Sequence, residues 1–242
     1  MDTNNLLKEI SKEEEIFPRG WKIIELNYLH ILLSSHDSGD ILIVGERGSE
    51  DGVLATVLHN KSISRPVHCI DIQPLGDIPA NEHLHLDFGQ RKIKEGEMKF
   101  FHSDIVTWDS PKNYDFIACI NVLEHFGFDD NGDYIKENYD FQGFEKMLSI
   151  CNKSAIFTMP YDPFSISDDI QVGGRIYSEF RISVLISIAR IYGFTVTMKK
   201  AFINLQKSSN FKDMPEYSMP SLYHTKDNHE YLILLIFNRM MG

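Results

Sequence analysis

Residues 40 to 60 read DILIVGERGSEDGVLATVLHN, and the fold turns on how this stretch is understood. Ile41-Leu42-Ile43-Val44 is an apolar run too short for a helix and ended by Gly45, the pattern of a strand buried in a parallel sheet. Glycines at 45, 48 and 52 shape the turn that follows, and Val53, Leu54, Val57 and Leu58 then recur at helical spacing. Strand, glycine-rich turn and helix make a βα unit in which backbone can approach a ligand closely and a helix N-terminus offers N–H groups. Alone, the stretch fits equally well an ordinary βα turn that contains glycine. The surrounding segments decide.

Downstream, Pro66-Val-His-Cys-Ile-Asp71 reads as a second short strand ending in an acid. A carboxylate at that tip can accept from both hydroxyls of a ribose. Residues 72 to 98 are polar and broken by Pro74, Gly76, Pro79, Gly89 and Gly96, which predicts irregular chain. Strands are expected at Met98–His102, followed by Ser103-Asp104, and at Tyr114–Ile120, running into Asn121-Val-Leu-Glu-His125. A helix near 141 to 151 leads to a fifth strand, Ser154–Thr158, stopped by Met159-Pro160. After a loop with Gly173-Gly174 comes a helix from about 178 to 192, closed by Gly193. Phe194–Met198 and Tyr231–Phe237 are the sixth and seventh strands.

Strands alternating with helices predict an α/β, Rossmann-like, doubly wound sheet of seven mostly parallel strands with helices on both faces. Only the last pair lacks a helical crossover, so the final strand is expected to be antiparallel. Upstream, residues 4 to 15 and 21 to 39 carry two helical patterns separated by Pro18-Arg19-Gly20. The expected organisation is therefore a helical segment, 1–39, packing on a domain spanning 40–242.

Composition narrows the function classes. A net charge of −11 disfavours a nucleic-acid backbone as the main partner, since phosphate neutralisation needs clustered Lys and Arg. The three cysteines, at 69, 119 and 151, have no paired spacing, which suits a reducing, cytoplasmic compartment. No window approaches the ~20 uninterrupted apolar residues of a membrane span, and MDTNNLLKEISKEEE lacks an apolar signal core.

Taken together, these signals resemble the class I S-adenosylmethionine-dependent methyltransferases over roughly residues 40 to 200. The likeness lies in VGERGSEDG at the glycine motif, Asp71 after the second strand, Ser103-Asp104 after the third and NVLEHFG at 121 to 127. It continues through FTMPYDP at 157 to 163 and GGRIYSEFRISVLISIARIYGF before the sixth strand. Their order is more specific than any one of them. GERGSEDG, IDIQP and VLEHFGF look closest to a bacterial subgroup associated with surface-carbohydrate biosynthesis. Two positions depart from the family. Ile43 stands where an acid is usual, and Arg47 replaces the second glycine.

The resemblance implies S-adenosylmethionine as cofactor, with Gly45, Arg47 and Gly48 in the glycine turn. It implies Asp71 at the ribose hydroxyls, Asp104 at the adenine amino group, Asn121 and Glu124 near the methionine end, and Ile72 and Ile105 as further cofactor-binding residues. Arg47 would pair with the methionine carboxylate, which suits a planar guanidinium. Methyl transfer is an in-line displacement dominated by positioning, and a hydroxyl acceptor also needs a base. His125 is the candidate, because imidazole titrates near neutrality; its alternative role is to shape the loop by bonding backbone.

No metal set is assigned, and a divalent requirement is left open. Asp129, Asp130 and Asp133 would supply hard oxygens for Mg²⁺ or Ca²⁺, while His83, His85 and Asp87 would share a face if extended. The acceptor is expected at 126–140, 160–178 and 203–229, loops rich in aromatic and polar residues that suit a sugar-like, hydroxylated small molecule. A homodimer is compatible with this reading. Two other classes compete. A nicotinamide-dependent oxidoreductase lacks its three-glycine fingerprint here, and a non-catalytic methyltransferase-like scaffold draws support from the altered glycine motif.

Overall fold

Strand β1 (Ile41–Val44) is buried along its whole length, as its unbroken apolar sequence requires of a strand covered on both faces. It belongs to a computed structural model that describes residues 22–46, 52–75, 83–129, 131–171, 173–203 and 231–240. The chain forms two compact units, Met1–Ile120 with Ile150–Ala155, and Asn121–Ser149 with Ile156–Gly242.

In the first unit β1 runs parallel to β2 (Val67–Asp71), with Leu42 opposite His68 and Val44 opposite Ile70. On its other side it runs parallel to β4 (Tyr114–Ile120), with Ile41 opposite Phe116 and Val44 opposite Cys119. Strand β3 (Met98–His102) extends the sheet beyond β2, again parallel, and β5 (Cys151–Asp162) lies beside β4. Helix α1 (Lys22–Ser34) buries Leu26, Leu29 and Leu33, the i, i+3, i+7 stripe of a core-facing helix. Helix α2 (Val53–Leu58) is six residues long and entirely buried. Gly39 is dictated by close approach, since a Cβ there would overlap the Phe116 ring. The cysteines at 69, 119 and 151 are buried thiols that form no disulfide.

The expectation of irregular chain from 72 to 98 is corrected, because residues His83–Lys94 form helix α3. It ends on Gly96, at φ 75°, where Gly96 N–H donates to Ile93 O and Glu97 N–H to Lys92 O. That pair of bonds is a Schellman cap, which satisfies carbonyls left open by the last turn. The correction removes the extended face proposed for His83, His85 and Asp87, because residues two apart diverge around a helix.

In the second unit the end of β5 pairs with β9 (Tyr231–Arg239), which pairs antiparallel with β8 (Phe194–Ile203). The antiparallel final strand is as expected. To the seven expected strands the described residues add two short ones, β6 (Asp169–Gln171) and β7 (Gly174–Ser178), inside the segment expected to be a loop. Strand β7 pairs parallel with β5 at Tyr161–Tyr177 and Asp162–Ser178, and antiparallel with β6. This pairing carries β5 past Met159-Pro160, where the sequence suggested a stop.

Helix α4 (Tyr139–Ser149) buries Phe144, whose ring lies 4.8 Å from that of Phe157 and 5.4 Å from that of Phe237. Burial of each such ring contributes about 1.5–3 kcal/mol, so this trio anchors the unit. Helix α5 (Glu179–Ile191) starts on Ser178, whose Oγ accepts from Arg181 N–H, and buries Ile182, Leu185 and Ala189. The whole is a mostly parallel, Rossmann-like α/β arrangement flanked by helices.

Candidate active site

Parallel register places the carboxyl ends of β1, β2 and β3 side by side in the first unit. Gly45 N–H donates to Ile70 O at 2.8 Å, and Ser103 N–H donates to Asp71 O at 2.9 Å. Gly45 sits at φ 75°, a left-handed conformation that glycine adopts without strain. Asp71 Oδ1 accepts from Gln73 N–H at 2.7 Å, and Asp104 Oδ1 accepts from Val106 N–H at 2.9 Å. Each acid therefore closes its own turn with one oxygen, the standard behaviour of aspartate at a strand exit.

Beside Asp71, the apolar side chain of Ile72 is 64% exposed, while Ile105 is buried. His102 Nε2 donates to Ile72 O at 2.9 Å and pins that turn, a contact sequence reasoning missed. Arg47 and Gly48 lie outside the described residues. Glu46, not singled out from the sequence, is buried next to Gly45. Burial, and then the Glu46 carboxylate, pushes the Cys69 thiol well up.

In the second unit Asn121 opens the turn after β4 with φ 52°, a conformation asparagine tolerates better than most residues. Its N–H donates to Thr158 O at 3.1 Å, and its Oδ1 accepts from Thr158 Oγ1 at 3.4 Å. A single 3-10 turn, Leu123–His125, follows, with the Glu124 side chain buried. The side chain of His125 is 60% exposed. Its Nδ1–H donates to Gly173 O at 2.5 Å, and its Nε2 lies 3.9 Å from Glu124 Oε1. Only a protonated Nδ1 can bond a carbonyl, so in the neutral ring the lone pair is on Nε2. The backbone-bonding role expected of His125 is thus the one the geometry displays.

A buried charge network surrounds this turn, and the sequence did not disclose it. Asp140, at the start of α4, is fully buried and lies 2.7 Å from Arg175 Nη1; Arg181 Nε donates to its Oδ2 at 2.9 Å. Tyr177 O–H is shared between Asp140 Oδ2, at 3.0 Å, and Leu123 O, at 3.2 Å. Arg175 Nη2 donates to Tyr134 Oη at 2.7 Å, and Asp168 Oδ2 lies 3.1 Å from Arg181 Nη1. Burial tends to raise the Asp140 carboxyl, but the hydrogen bonds and charges of Arg181 and Arg175 outweigh it and hold the group below the usual range. Burial, and then Asp140's charge, keeps Tyr177 protonated and hence a donor.

At the end of β5, Tyr161 O–H donates to Glu179 Oε2 at 2.5 Å, and Lys199 Nζ lies 2.5 Å from Glu179 Oε1. The Phe164 and Tyr231 rings meet edge-on at 5.9 Å, and Phe164 is 41% exposed.

In the acidic loop, the described candidate Asp129 is engaged by its own backbone. Asp129 Oδ1 accepts from Asn131 N–H at 3.0 Å and from Asp133 N–H at 2.9 Å. Backbone donors, that of Asp133 first, hold its carboxyl below the usual range, and the group closes its own loop. Asp130 lies outside the described residues. Among the described residues no group of three His, Cys, Asp or Glu could hold a metal ion. Among them, too, no helix is long and apolar enough to cross a membrane.

No family model matches the sequence, and no curated protein does. The fold, however, is that of solved class I methyltransferases. Magnesium protoporphyrin IX methyltransferase from Synechocystis PCC 6803, with bound S-adenosylhomocysteine, superposes with a TM-score of 0.53 at 12% identity, over 90% of this chain and 83% of that one. The 1,6-didemethyltoxoflavin-N1-methyltransferase of Burkholderia thailandensis, with 1,6-didemethyltoxoflavin and S-adenosylhomocysteine bound, gives 0.52 at 12% identity, over 97% and 82%. The N-methyltransferase NodS of Bradyrhizobium japonicum WM9 gives 0.50 at 14%, over 90% and 96%. At such identities the likeness is one of fold.

Proposed function

We propose that this chain is an S-adenosylmethionine-dependent methyltransferase acting on a hydroxyl of a sugar or sugar-linked small molecule, in the service of surface-polysaccharide biosynthesis. The observation that carries the cofactor reading is the row of Gly45, Asp71 and Asp104 at the carboxyl ends of three adjacent parallel strands. In open α/β sheets that edge is where ligands bind. The donor set fits the cofactor: a half-buried acid for ribose hydroxyls, an exposed Ile72 to cover a flat base and a second acid for an exocyclic amine.

When bound, the cofactor supplies a methyl group on a sulfonium. The protein's own part is to orient and to move a proton. Asp71 accepts from the ribose hydroxyls, Asp104 accepts from the adenine amino group, and Ile72 and Ile105 supply apolar surface to the base. Gly45 lets backbone approach, while Gly48 and Arg47, outside the described residues, have roles from the motif alone, Arg47 as the partner the methionine carboxylate would take. Asn121 and Glu124 serve the methionine end. His125 Nε2 takes the acceptor hydroxyl's proton, with Gly173 O holding the ring in the required tautomer.

The sugar reading rests on the Phe164–Tyr231 ring pair, with Asp162 two residues before Phe164 and Glu179 bonded to Tyr161, since aromatic faces beside carboxylates suit hydroxylated ligands. The competing reading is a non-catalytic scaffold, supported by Ile43 and Arg47 in the altered glycine motif. Titration calorimetry with S-adenosylhomocysteine separates the two. The enzyme reading expects micromolar affinity and a thermal upshift that grows with ligand concentration. Neither heat nor thermal shift at millimolar ligand overturns it.

A further inference from the structure

We propose that Arg175 and Tyr177 of β7, gathered by Asp140, are positioning residues that set the protonation site of His125. The proposal deepens the reading of His125 as the base and rests on it. Two bonds tie β7 and the residue just before it to the turn after β4. At one end Gly173 O receives Nδ1–H of His125 at 2.5 Å, and at the other Tyr177 O–H reaches Leu123 O at 3.2 Å. Gly174 follows Gly173 directly and lies beside the imidazole, where a Cβ would make ordinary contact 3.6 Å from Nδ1. The position of Gly173 O, and hence of the proton, is therefore a property of where β7 lies.

The buried charges fix that position. Arg175 is 2% exposed and extends in two directions, to Asp140 on α4 at 2.7 Å and to Tyr134 Oη at 2.7 Å. Asp140 also receives Tyr177, so one carboxylate holds two β7 side chains, two residues apart on one face of the strand. Arg181 and Asp168 complete a set of two cations and two anions. A sealed neutral set of this kind adds little stability over apolar residues of equal volume, but it specifies one arrangement and penalises slippage, because any shift strands a buried charge. A β7 held only by Tyr161–Tyr177 and Asp162–Ser178 ladder contacts could move relative to His125 without such a penalty.

The test is ring-nitrogen NMR of the full chain, which reports which imidazole nitrogen carries the proton and needs no activity. At a pH where the ring is observed to be neutral, wild type should show the proton of His125 on Nδ1. Tyr177→Phe removes the Leu123 bond, and Arg175→Lys keeps the charge but cannot span Asp140 and Tyr134 together. In each variant the Nδ1–H to Nε2–H ratio should fall about fivefold, the scale of one neutral hydrogen bond. Two variants guard against the failure of either to fold. A ratio equal to wild type in a folded variant, even one of lower melting temperature, overturns the proposal, as does Nε2–H in wild type. Calorimetry with S-adenosylhomocysteine on the same samples stands apart: no binding by wild type would sink the methyltransferase reading, whereas the tautomer ratio judges the positioning proposal.

Discussion

Arg175 Nη1 and Asp140 Oδ1 meet across 2.7 Å with 1% and 0% of their side chains exposed, on β7 and the first turn of α4 respectively. Charges sealed this completely are tolerated only as a set, since each alone would lose several kcal/mol of hydration. Asp140→Asn should therefore destabilise the protein by about 3–5 kcal/mol, because it leaves Arg175 and Arg181 facing a neutral amide. Urea unfolding of the two proteins measures this. A loss below 1 kcal/mol would mean that water reaches the site and the pair is not sealed.

His68 supplies a second stability prediction, this one dependent on pH. It is buried, its Nδ1 shares a 2.7 Å hydrogen bond with Tyr114 Oη, and the Phe101 ring stands 5.2 Å away. Burial, then the cations of Lys112 and Lys99, brings its pKa down to about 4. The folded value lies below the unfolded one, so between these values the unfolded chain binds the extra proton and stability falls as pH falls. The loss should amount to about 1–3 kcal/mol between about pH 6.5 and 4. His68→Gln should flatten that part of the stability curve relative to wild type, and parallel curves would refute the assignment.

Strands β1 and β4 were legible because parallel strands covered on both faces must be near-continuously apolar, and Ile41–Val44 and Phe116–Ile120 are. Helix α3 was hidden by its first residues, His83-Leu-His-Leu-Asp87, whose alternation imitates a strand. The basic residues Arg91, Lys92 and Lys94 in its last turn and Gly96 beyond it were the usable signal. Strand β6 could not be seen, since Asp169, Ile170 and Gln171 are all exposed and carry no burial pattern.

The site divides in the same way. Asp71 and Asp104 stand at strand tips that periodicity locates. Asp140 and Arg175 are 35 positions apart in separate elements, and each alone resembles a solvated surface charge. Gly143 gave no signal either, yet a Cβ there would overlap the Phe126 ring just after His125.

Asp71 tests the cofactor half. Its Oδ1 accepts from Gln73 N–H, so Asp71→Ala would lose both the turn and the charge. Asp71→Asn keeps an acceptor for Gln73 and removes the charge. It should weaken S-adenosylhomocysteine binding by about 1.5–3 kcal/mol, the worth of a charge-assisted bond, with the melting temperature little changed. Calorimetry showing wild-type affinity would remove the ribose role from Asp71.

The last prediction concerns the proton taken from the acceptor. With Nδ1–H donated to Gly173 O, His125 Nε2 is the basic nitrogen, and His125→Ala should lower turnover about 10²–10⁴-fold with cofactor affinity unchanged. The acidic loop makes the opposite forecast. Were a divalent ion the activator, chelator would abolish turnover and Asp133→Asn would be the damaging change. The geometry speaks against that outcome, since Asp129 Oδ1 already receives Asn131 and Asp133 N–H and is committed to closing its loop. Chelator-treated enzyme should therefore keep its rate while His125→Ala loses it. Full activity in His125→Ala would move the base elsewhere, with the Tyr161–Glu179–Lys199 cluster the next to mutate.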